Sequence, residues 1–420
     1  MSAPDTHRDP AEGVRIARLG HRGDGIAADG TLAARTLPGE VVAGACENGR
    51  IASPRILYPS PDRVRPPCVH YRQCGGCALQ HASDGFVAQW KQDIVRNALA
   101  AQGLEASFGP MHSSPPCSRR RATLTGRRLK RGPVVGFHAR ASDVVTPIPD
   151  CLLLHPDLMA VLPALEGITA SAASRKGALS FTVTASEAGV DLAITGGPVL
   201  DGALRARLGA LSAQHRLARL SWDGEVLLQH APPFQRFGAA RVVPPPGAFL
   251  QATAEGEAAL LAAVEDATPG ARRIADLFAG CGTFALPLAA RAEVHAVEGD
   301  AAMTAALDAG WRQAQGLRRV TTEARDLFRR PLTAGELARF DAVVIDPPRA
   351  GAEAQIAELA RSTVPVIAYV SCNPASFARD ARALVAAGYR LEWVRVVDQF
   401  RWSPHVELAA QLVRRHIPRE

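Results

Sequence analysis

The segment RRIADLFAGCGTFALPLAARAEVHAVEGD (residues 272–300) constrains the fold more than any other part of the chain. It predicts an apolar strand, a glycine loop, a helix and a second strand that ends at Glu298. From about residue 254 onward, Ala/Leu-rich helical stretches alternate with short apolar strands. This alternation is typical of a doubly wound, mostly parallel sheet. We therefore predict an α/β, Rossmann-like domain over residues 241–420.

The glycine loop suits a nucleotide-like ligand, and its neighbours favour S-adenosylmethionine over a dinucleotide. Gly280 and Gly282 permit close approach of a ligand, and Glu298 is placed to hold ribose hydroxyls. Asp276 would repel a pyrophosphate, whereas it suits a ligand with a cationic sulfonium and an amino group. Asp326 follows a further strand, and its position fits either a contact to adenine or a surface or cap role.

Two further strands end in residues that carry chemistry. FDAVVIDPPRAG (340–351) predicts a strand that ends at Asp346, and AYVSCNPASFARD (368–380) predicts one that ends beside Cys372. Ligands of open α/β sheets bind beyond the carboxyl ends of the strands. Because Asp276, Glu298, Asp346 and Cys372 all lie at such ends, we interpret Cys372 as a nucleophile and not as a small apolar filler.

The residue types at these strand ends fit methylation at carbon 5 of a pyrimidine. Arg349 stands where amino-group methyltransferases often carry an aromatic residue, which disfavours N-methylation. C5 is a poor nucleophile until a thiolate adds at C6, and a base must then remove the C5 proton. Cys372 fits the thiolate. Glu407, in DQFRWSPHVELAAQL (398–412), fits the base and a surface or helix-start acid equally well.

Five motifs together resemble the RNA uracil-5-methyltransferase family: DLFAGCGTFALPLA, VEGD, DPPRAG, VSCNP and DQF…HVE, in this order and spacing. The resemblance covers residues 245–420 and implies an enzyme that forms 5-methyluridine with S-adenosylmethionine as cofactor. It implies Cys372 as nucleophile and Glu407 as base, with Gln251 and Asp346 also near the uracil. The cofactor pocket implied by the resemblance consists of Gln251, Phe278, Thr283, Glu298, Asp326 and Asp346.

A cluster of cysteines in CVHYRQCGGCALQH (68–81) predicts a metal site. Its members are Cys68, Cys74 and Cys77. In a reducing compartment, closely spaced cysteines indicate metal binding more often than disulfides. A closed site needs a fourth ligand, for which Cys151 is the best candidate and Cys117 and Cys46 are the alternatives. The spacing alone leaves zinc and a [4Fe–4S] cluster open.

The family resemblance extends to this cluster and to the N-terminus. VGFHARASDVVTPIPDC (135–151) matches the lead-in to the distant cysteine of ribosomal-RNA members, which implies a [4Fe–4S] cluster on Cys68, Cys74, Cys77 and Cys151. RLGHRGDGIAADG…LPGE resembles a TRAM domain, a small OB-like β-barrel that contacts phosphates. The residues implied there are Arg15, Arg18, His21 and Arg22. The transfer-RNA branch usually lacks both features, so the resemblance favours 23S ribosomal RNA.

Proline-rich segments indicate the domain boundaries, and the composition indicates the class of partner. We predict a TRAM-like barrel over residues 1–60, a central β-rich iron–sulfur domain over 61–240 and the methyltransferase domain over 241–420. The formal charge of +7 and the basic hairpin SRRRATLTGRRLKRG (118–132) suit an RNA partner. Without a signal peptide or membrane-spanning segment, we expect a cytoplasmic monomer with no membrane partner.

Three alternatives remain at this stage. A transfer-RNA 5-methyluridine enzyme would share the catalytic motifs. An RNA cytosine-5 methyltransferase generally carries a second cysteine after the DPP strand, where this chain has Pro-Arg-Ala. A non-catalytic RNA-binding protein with a vestigial methyltransferase fold would have a decayed pocket, whereas Gln251, Glu298, Asp346, Cys372 and Glu407 are all present.

Overall fold

Two β-rich units precede an α/β unit in the computed structural model, which describes residues 13–415. Residues 1–12 of the predicted barrel and 416–420 of the predicted methyltransferase domain lie outside the described residues. Within the described part of the chain, no helix combines the length and the apolar character needed to cross a membrane.

The N-terminal unit is a sheet of six short strands, in the order β5-β3-β2-β1-β4-β6. Its strands are β1 (Val14–Leu19), β2 (Gly25–Ala27), β3 (Leu32–Ala33), β4 (Val41–Ala43), β5 (Arg50–Ile51) and β6 (Arg55–Tyr58). Neighbours are antiparallel except β3 and β5. A small apolar core fills one side, formed by Ile16, Ala33, Val42 and Ile51. The β-rich character expected for this region is confirmed.

A linker with one long helix follows. Its elements are α1 (Asp84–Ala100), β7 (Ser107–Phe108) and β8 (His112–Ser113). The hydroxyl of Ser83 caps α1 by accepting a hydrogen bond from the Phe86 N–H, which satisfies one of the free amides of the first turn.

The central unit is a seven-stranded sheet covered by helices. Its elements are β9 (Arg121–Leu129), β10 (Gly132–His138), β11 (Val145–Pro147), α2 (Pro156–Ala160), α3 (Leu162–Ala172), β12 (Ala178–Ser186), β13 (Gly189–Thr195), α4 (Gly202–Gln214), β14 (Arg219–Trp222) and β15 (Glu225–Gln229). The order is β11-β10-β9-β12-β13-β14-β15, and only β13 and β14 pair in parallel. The alternating burial along β12 places Leu179, Phe181 and Val183 in the core beneath the helices.

The α/β unit begins after a small hairpin. The elements are β16 (Gln235–Phe237), β17 (Ala240–Val242), α5 (Ala254–Ala267), β18 (Arg273–Leu277), α6 (Ala285–Leu288), β19 (Glu293–Glu298), α7 (Ala301–Gln313), β20 (Val320–Ala324), α8 (Ala334–Leu337), β21 (Ala342–Ile345), α9 (Glu353–Arg361), β22 (Val366–Ser371), α10 (Pro374–Ala386), β23 (Tyr389–Asp398) and β24 (Glu407–Arg414). Strands β20, β19, β18, β21 and β22 are parallel neighbours, and β24 and β23 extend the sheet in antiparallel pairing. The predicted doubly wound sheet is confirmed.

Both faces of this sheet are buried, which explains the near-continuous apolar runs in its parallel strands. One face packs on α9, α10 and the preceding helix α1, and the other packs on α5, α6 and α7. The linker strands β7 and β8 also pair with β23 in this sheet. The segment before the central unit is therefore built into the α/β unit.

Candidate active site

The glycine loop after β18 has the backbone that its sequence requires. Phe278, Gly280 and Gly282 all have positive φ angles, of 61°, 56° and 94°. This conformation is uncommon for a residue with a Cβ, so Phe278 is held there by its surroundings. At Gly282 an added Cβ would lie 2.8 Å from the side chains of Leu286 and Leu307, so only glycine fits. The loop thereby brings its backbone to the open edge of the sheet.

Glu298, at the end of β19, ties this loop to the next strand. One carboxylate oxygen accepts a hydrogen bond from the Gly280 N–H at 3.0 Å, and the other accepts one from the Asp300 N–H at 2.9 Å. Each oxygen retains a lone pair, so the carboxylate can still accept bonds from ligand hydroxyls. The prediction that this strand ends at Glu298 is confirmed.

A cavity of about 490 Å³ opens beyond the carboxyl ends of the strands. Six of the eight residues named from the sequence as catalytic or cofactor-binding line it: Phe278, Glu298, Asp326, Asp346, Cys372 and Glu407. Gln251 lies behind the wall and bonds to Asp346. Thr283, which is half-buried, is not among the lining residues. The rings of Phe278 and Phe328 lie 5.4 Å apart and give the cavity an aromatic side.

Asp326 lies at the cavity and also fixes a turn of the chain. It lines the cavity, and its Oδ1 accepts hydrogen bonds from the backbone N–H groups of Phe328 and Arg329. The carboxylate therefore fixes the turn that presents Phe328 while facing the same space.

Several acids lie in or beside this cavity, where burial disfavours their charged forms. Burial raises the pKa of Asp276 well above its usual range, and the neighbouring charges of Asp346 and Glu298 add to the shift. Neither carboxyl oxygen of Asp276 has a hydrogen-bond partner that meets standard geometry. Burial also raises the pKa of Asp346 to about 7. A cavity lined by carboxylates is matched to a cationic ligand and repels a polyphosphate.

Cys372 stands between β22 and α10, as predicted. The Asn373 side chain caps α10 and donates a hydrogen bond to the Arg349 carbonyl at 2.8 Å, which joins this loop to the one after β21. The pKa of the Cys372 thiol is raised to about 11, by burial first and then by the charges of Glu407 and Asp346. The Arg349 guanidinium opposes this shift. The thiol is protonated at neutral pH, and a cation beside it favours the thiolate.

Glu407 is buried at the start of β24 and belongs to a network of amides. The Gln399 amide nitrogen donates both to Glu407 Oε2 and to Gln251 Oε1, the latter at 2.5 Å. The Gln399 carbonyl oxygen accepts from the Ala252 N–H at 2.7 Å, which fixes the orientation of the amide. Gln251 in turn donates to Asp346 Oδ2 at 3.5 Å. Burial, Asp346 and Asp398 raise the pKa of Glu407 well above its usual range.

Gln399 is the functional residue that sequence reasoning missed. Its contacts depend on the antiparallel pairing of β23 with β24, which the sequence does not reveal. The available signal was its place in DQF, the motif that carries the resemblance.

A second cavity, of about 630 Å³, also reaches Cys372. The two cavities share Arg349 and Cys372. The second is also lined by His21 and Arg22, from the turn between β1 and β2, and by His405 of the loop before β24. Of the four residues that the family resemblance implies as phosphate contacts, His21 and Arg22 line this cavity. Arg15 instead bonds to the Gly39 carbonyl.

The arginines at the start of the basic hairpin have structural roles. Arg120 bonds to the Gln251 carbonyl and forms an ion pair with Glu257 at 2.6 Å. Arg121 donates to the carbonyls of Gly247 and Ala248. This end of β9 therefore holds the segment that carries Gln251 against the site.

The four cysteines implied as cluster ligands line one small cavity in the central region: Cys68, Cys74, Cys77 and Cys151. Cys117 and Cys46 do not line it. Burial and the mutual repulsion of charged thiolates raise the pKa of the Cys74, Cys77 and Cys151 thiols, to about 12 for Cys77. Among residues 13–415, no three His, Cys, Asp or Glu side chains are grouped so that they could hold a metal ion.

The cysteine segment also supports the active site directly. The N–H groups of Ala78 and Leu79 donate to the Trp402 carbonyl, at 2.8 and 3.0 Å. Trp402 lies in the loop between β23 and β24, which carries Gln399 and leads to Glu407. The cysteine segment and the loop between β23 and β24 are thus joined by backbone hydrogen bonds.

Comparison with known proteins finds similarity to RNA methyltransferases. The family model described as tRNA (Uracil-5-)-methyltransferase matches residues 244–415. An RNA methyltransferase of Brucella suis is 44% identical over 96% of this chain and 97% of its own length. The 23S rRNA (uracil(1939)-C(5))-methyltransferase RlmD of Chromohalobacter salexigens is 34% identical over 97% of this chain and 91% of its own.

A solved structure shares the whole fold. It is the tRNA (uracil-54, C5)-methyltransferase of Pyrococcus abyssi in complex with S-adenosyl-L-homocysteine, with a TM-score of 0.76 over 96% of this chain and 99% of that one. Its sequence is 22% identical, so this likeness concerns the fold, which is that of S-adenosylmethionine-dependent methyltransferases. The identity and coverage of the sequence relatives are high enough to establish more than fold. The chain belongs to the RNA uracil-5-methyltransferase family.

Proposed function

We propose that the protein methylates C5 of a uridine in 23S ribosomal RNA, with Cys372 as nucleophile and Glu407 as base. One observation carries the proposal: a thiol and a buried carboxyl line the same cavity as the glycine loop and Glu298. A nucleophile, a base and a cofactor pocket at one sheet edge are what this chemistry requires.

The first step belongs to Cys372. Its thiol loses a proton, and the thiolate sulfur forms a bond to C6 of the uracil while the C5–C6 electron pair moves toward O4. The resulting enolate makes C5 nucleophilic. The Arg349 charge favours the thiolate, and the half-buried position of Cys372 leaves it accessible from the second cavity.

The methyl donor fits the acidic cavity. S-adenosylmethionine, when bound, supplies an electrophilic methyl group on a sulfonium centre. Glu298 would hold its ribose hydroxyls, and Phe278 with Phe328 would enclose its adenine. Asp326 and Asp346 add negative charge opposite a ligand that carries a positive one. Thr283 does not line the cavity, so it would affect the cofactor only through the conformation of the glycine loop.

The last step belongs to Glu407. Its carboxylate takes the proton from C5, the C5–C6 double bond re-forms, and the bond from C6 to the Cys372 sulfur breaks. Gln399 occupies Oε2 of Glu407 as a hydrogen-bond donor, so Oε1 is the atom free to accept the proton. We propose that Gln399 is a positioning residue that favours the ionised carboxylate against the burial that opposes it.

The second cavity suits the entry of RNA. A uracil within a helix hides its ring faces by stacking, so the target base must leave the stack. Arg22 and His21, which line this cavity, would contact the RNA backbone. This supports the proposal that the N-terminal sheet is a TRAM-like RNA-binding unit.

We propose a [4Fe–4S] cluster on Cys68, Cys74, Cys77 and Cys151. Four thiols facing one cavity form the donor set of such a cluster. The bonds from Ala78 and Leu79 to Trp402 give the cluster a structural role.

Ribosomal RNA is favoured by the named activity of the Chromohalobacter relative, which aligns over nearly the whole chain. Transfer RNA is the second candidate, because the matching family model and the Pyrococcus structure are both named for tRNA. We further propose that the protein acts as a monomer in the cytoplasm.

The test is to map 5-methyluridine in 23S ribosomal and transfer RNA from cells that lack the gene. We expect one 23S position to lose the mark and to regain it with the wild-type gene but not with the Cys372→Ala variant. Loss of the mark only in transfer RNA would show that transfer RNA, and not 23S ribosomal RNA, is the substrate. Unchanged marks in both RNAs would contradict the proposed function.

A further inference from the structure

The basic hairpin of the central sheet has two ends with different environments. At the start of β9, Arg120 and Arg121 bond to the segment that carries Gln251. At the other end, Lys130 and Arg131 form a two-residue turn between β9 and β10, and both are exposed. The sequence alone could not separate these two groups of arginines.

Further cations lie beside this turn. Arg127 pairs with Ala178, the first residue of β12, so the preceding residues Arg175 and Lys176 are at the same end of the sheet. The distal basic surface, as we name it, comprises Arg127, Arg128, Lys130, Arg131, Arg175 and Lys176. These six cations stand in two sequence segments, 118–132 and 173–178, that contain no Asp or Glu.

The side chains of these six residues lack acidic partners. No ion pair involves any of them within residues 13–415. The Nε of Arg127 is buried without a hydrogen-bond partner, which is costly for a guanidinium group. Leu129, at the tip, is 51% exposed. Unpaired cations around an exposed turn are what an anionic partner would satisfy.

The separation from the active site indicates how the partner would lie. Strand β9 runs from Arg121 to Leu129. At about 3.4 Å per residue, its tip lies roughly 27 Å from Arg121, which bonds to the carbonyls of Gly247 and Ala248. Consecutive phosphates of one helical strand advance about 3.4 Å or less along the axis, so a helix of on the order of ten base pairs bridges this distance.

We propose that the distal basic surface binds the phosphate backbone of an RNA helix adjoining the target uridine. The inference rests on RNA as the substrate class and not on which uridine is modified or by which steps. Backbone contacts position a substrate without reading its sequence. The surface would therefore add affinity for long RNA and leave the chemical step unchanged.

The test compares RNA binding by two variants with equal charge loss. The first combines Arg128→Gln, Lys130→Gln, Arg131→Gln and Lys176→Gln. The matched control combines Arg205→Gln, Arg207→Gln, Arg272→Gln and Arg318→Gln, exposed arginines of α4 and of the sheet edge opposite the active site. Fluorescence anisotropy is measured with two labelled hairpin RNAs, one with a stem of about 20 base pairs and one with a stem of about four, over a range of salt concentrations.

With the long stem, the first variant should bind roughly tenfold or more weakly near 0.15 M salt, and the slope of log K against log salt should fall by about 3 in magnitude. With the short stem, it should bind as the wild type does. The control should keep the wild-type slope on both. Retained binding of S-adenosylhomocysteine verifies that the first variant is folded.

Equal slopes for the first variant and the wild type on the long stem would overturn the proposal, and would leave an acidic protein as the partner to examine. Equal losses for both stems would also overturn it, since the surface would then lie at the target loop. If 5-methyluridine mapping fails while the slope changes as expected, the proposed chemistry is wrong and this RNA surface stands.

Discussion

Cys372 and Cys77 are both partly buried cysteines with thiol pKa values raised by desolvation, to about 11 and about 12. Their neighbours differ. Cys372 faces two carboxyls and a guanidinium at an open sheet edge, whereas Cys77 faces three other thiols in a closed cavity. In the proposed function, the same residue type attacks the uracil in one place and binds the cluster in the other. Neighbouring groups and access, more than the pKa itself, separate the two uses.

The largest expected effect is the loss of the nucleophile. Cys372→Ala should lower methyl transfer by at least about a thousandfold, because no other group near C6 can form the covalent bond. Binding of S-adenosylmethionine, measured by calorimetry, should stay near normal. The matched control is Cys281→Ala, a buried cysteine of the glycine loop that lines neither cavity. If Cys372→Ala retains turnover, the assignment of the first step is wrong.

Removing one cysteine of the closed cavity should act on metal content. Cys77→Ser should reduce iron, measured after anaerobic purification, from about four per chain to near zero and should remove the brown colour. Cys117→Ser is the control, because Cys117 is also half-buried but does not line the cavity. Zinc in place of iron in the wild-type protein would contradict the cluster. Wild-type iron in Cys77→Ser would contradict the ligand assignment.

A smaller effect is expected when Glu407 loses the hydrogen bond from the Gln399 amide. Gln399→Leu should slow release of the product roughly 30-fold near pH 7, because Glu407 then loses a donor to its ionised form and its pKa rises further. The rising limb of the pH–rate profile should move to higher pH, which a purely structural defect would not produce. Gln411→Leu, on strand β24 with Glu407, is the control. An unshifted profile in Gln399→Leu would remove Gln399 from the mechanism.

The smallest effect concerns the thiol itself. A raised thiol pKa means that the reactive thiolate is a minority form below about pH 11, so alkylation of Cys372 by iodoacetamide should accelerate with pH through pH 9. Arg349→Met removes the charge that favours the thiolate and should slow alkylation roughly fivefold at pH 8. Arg319→Met, at the opposite sheet edge, should not. A rate that is flat above pH 7 would contradict the raised pKa.

The sequence predicted the parallel sheet and the residues at its carboxyl edge, because those features follow from local patterns. Apolar strands ended by Asp346-Pro-Pro or by Cys372-Asn-Pro need no knowledge of the rest of the chain. The strands of the N-terminal sheet and the basic hairpin were predicted on the same grounds. The domain boundaries and the roles of the site residues stay predictions.

Residues whose positions depend on distant pairing could not be predicted. Gln399 acts through the β23–β24 pairing and a contact to Gln251, which is 148 residues away in the chain. Arg120 and Arg121 read as members of a basic run, yet their guanidinium groups are used by the segment before α5. Helix α1 shows no sequence sign of packing on α10, because an apolar stripe does not specify its partner.

The most direct test of the central claim is to trap the covalent adduct. Glu407→Gln protein would be incubated with S-adenosylmethionine and 23S ribosomal RNA from cells that lack the gene, and then analysed on a denaturing gel. We expect a protein–RNA species that survives denaturation, with a nucleotide attached to the peptide that contains Cys372, and its complete loss in the Cys372→Ala/Glu407→Gln double variant. No adduct, or an adduct that persists without Cys372, would contradict the account.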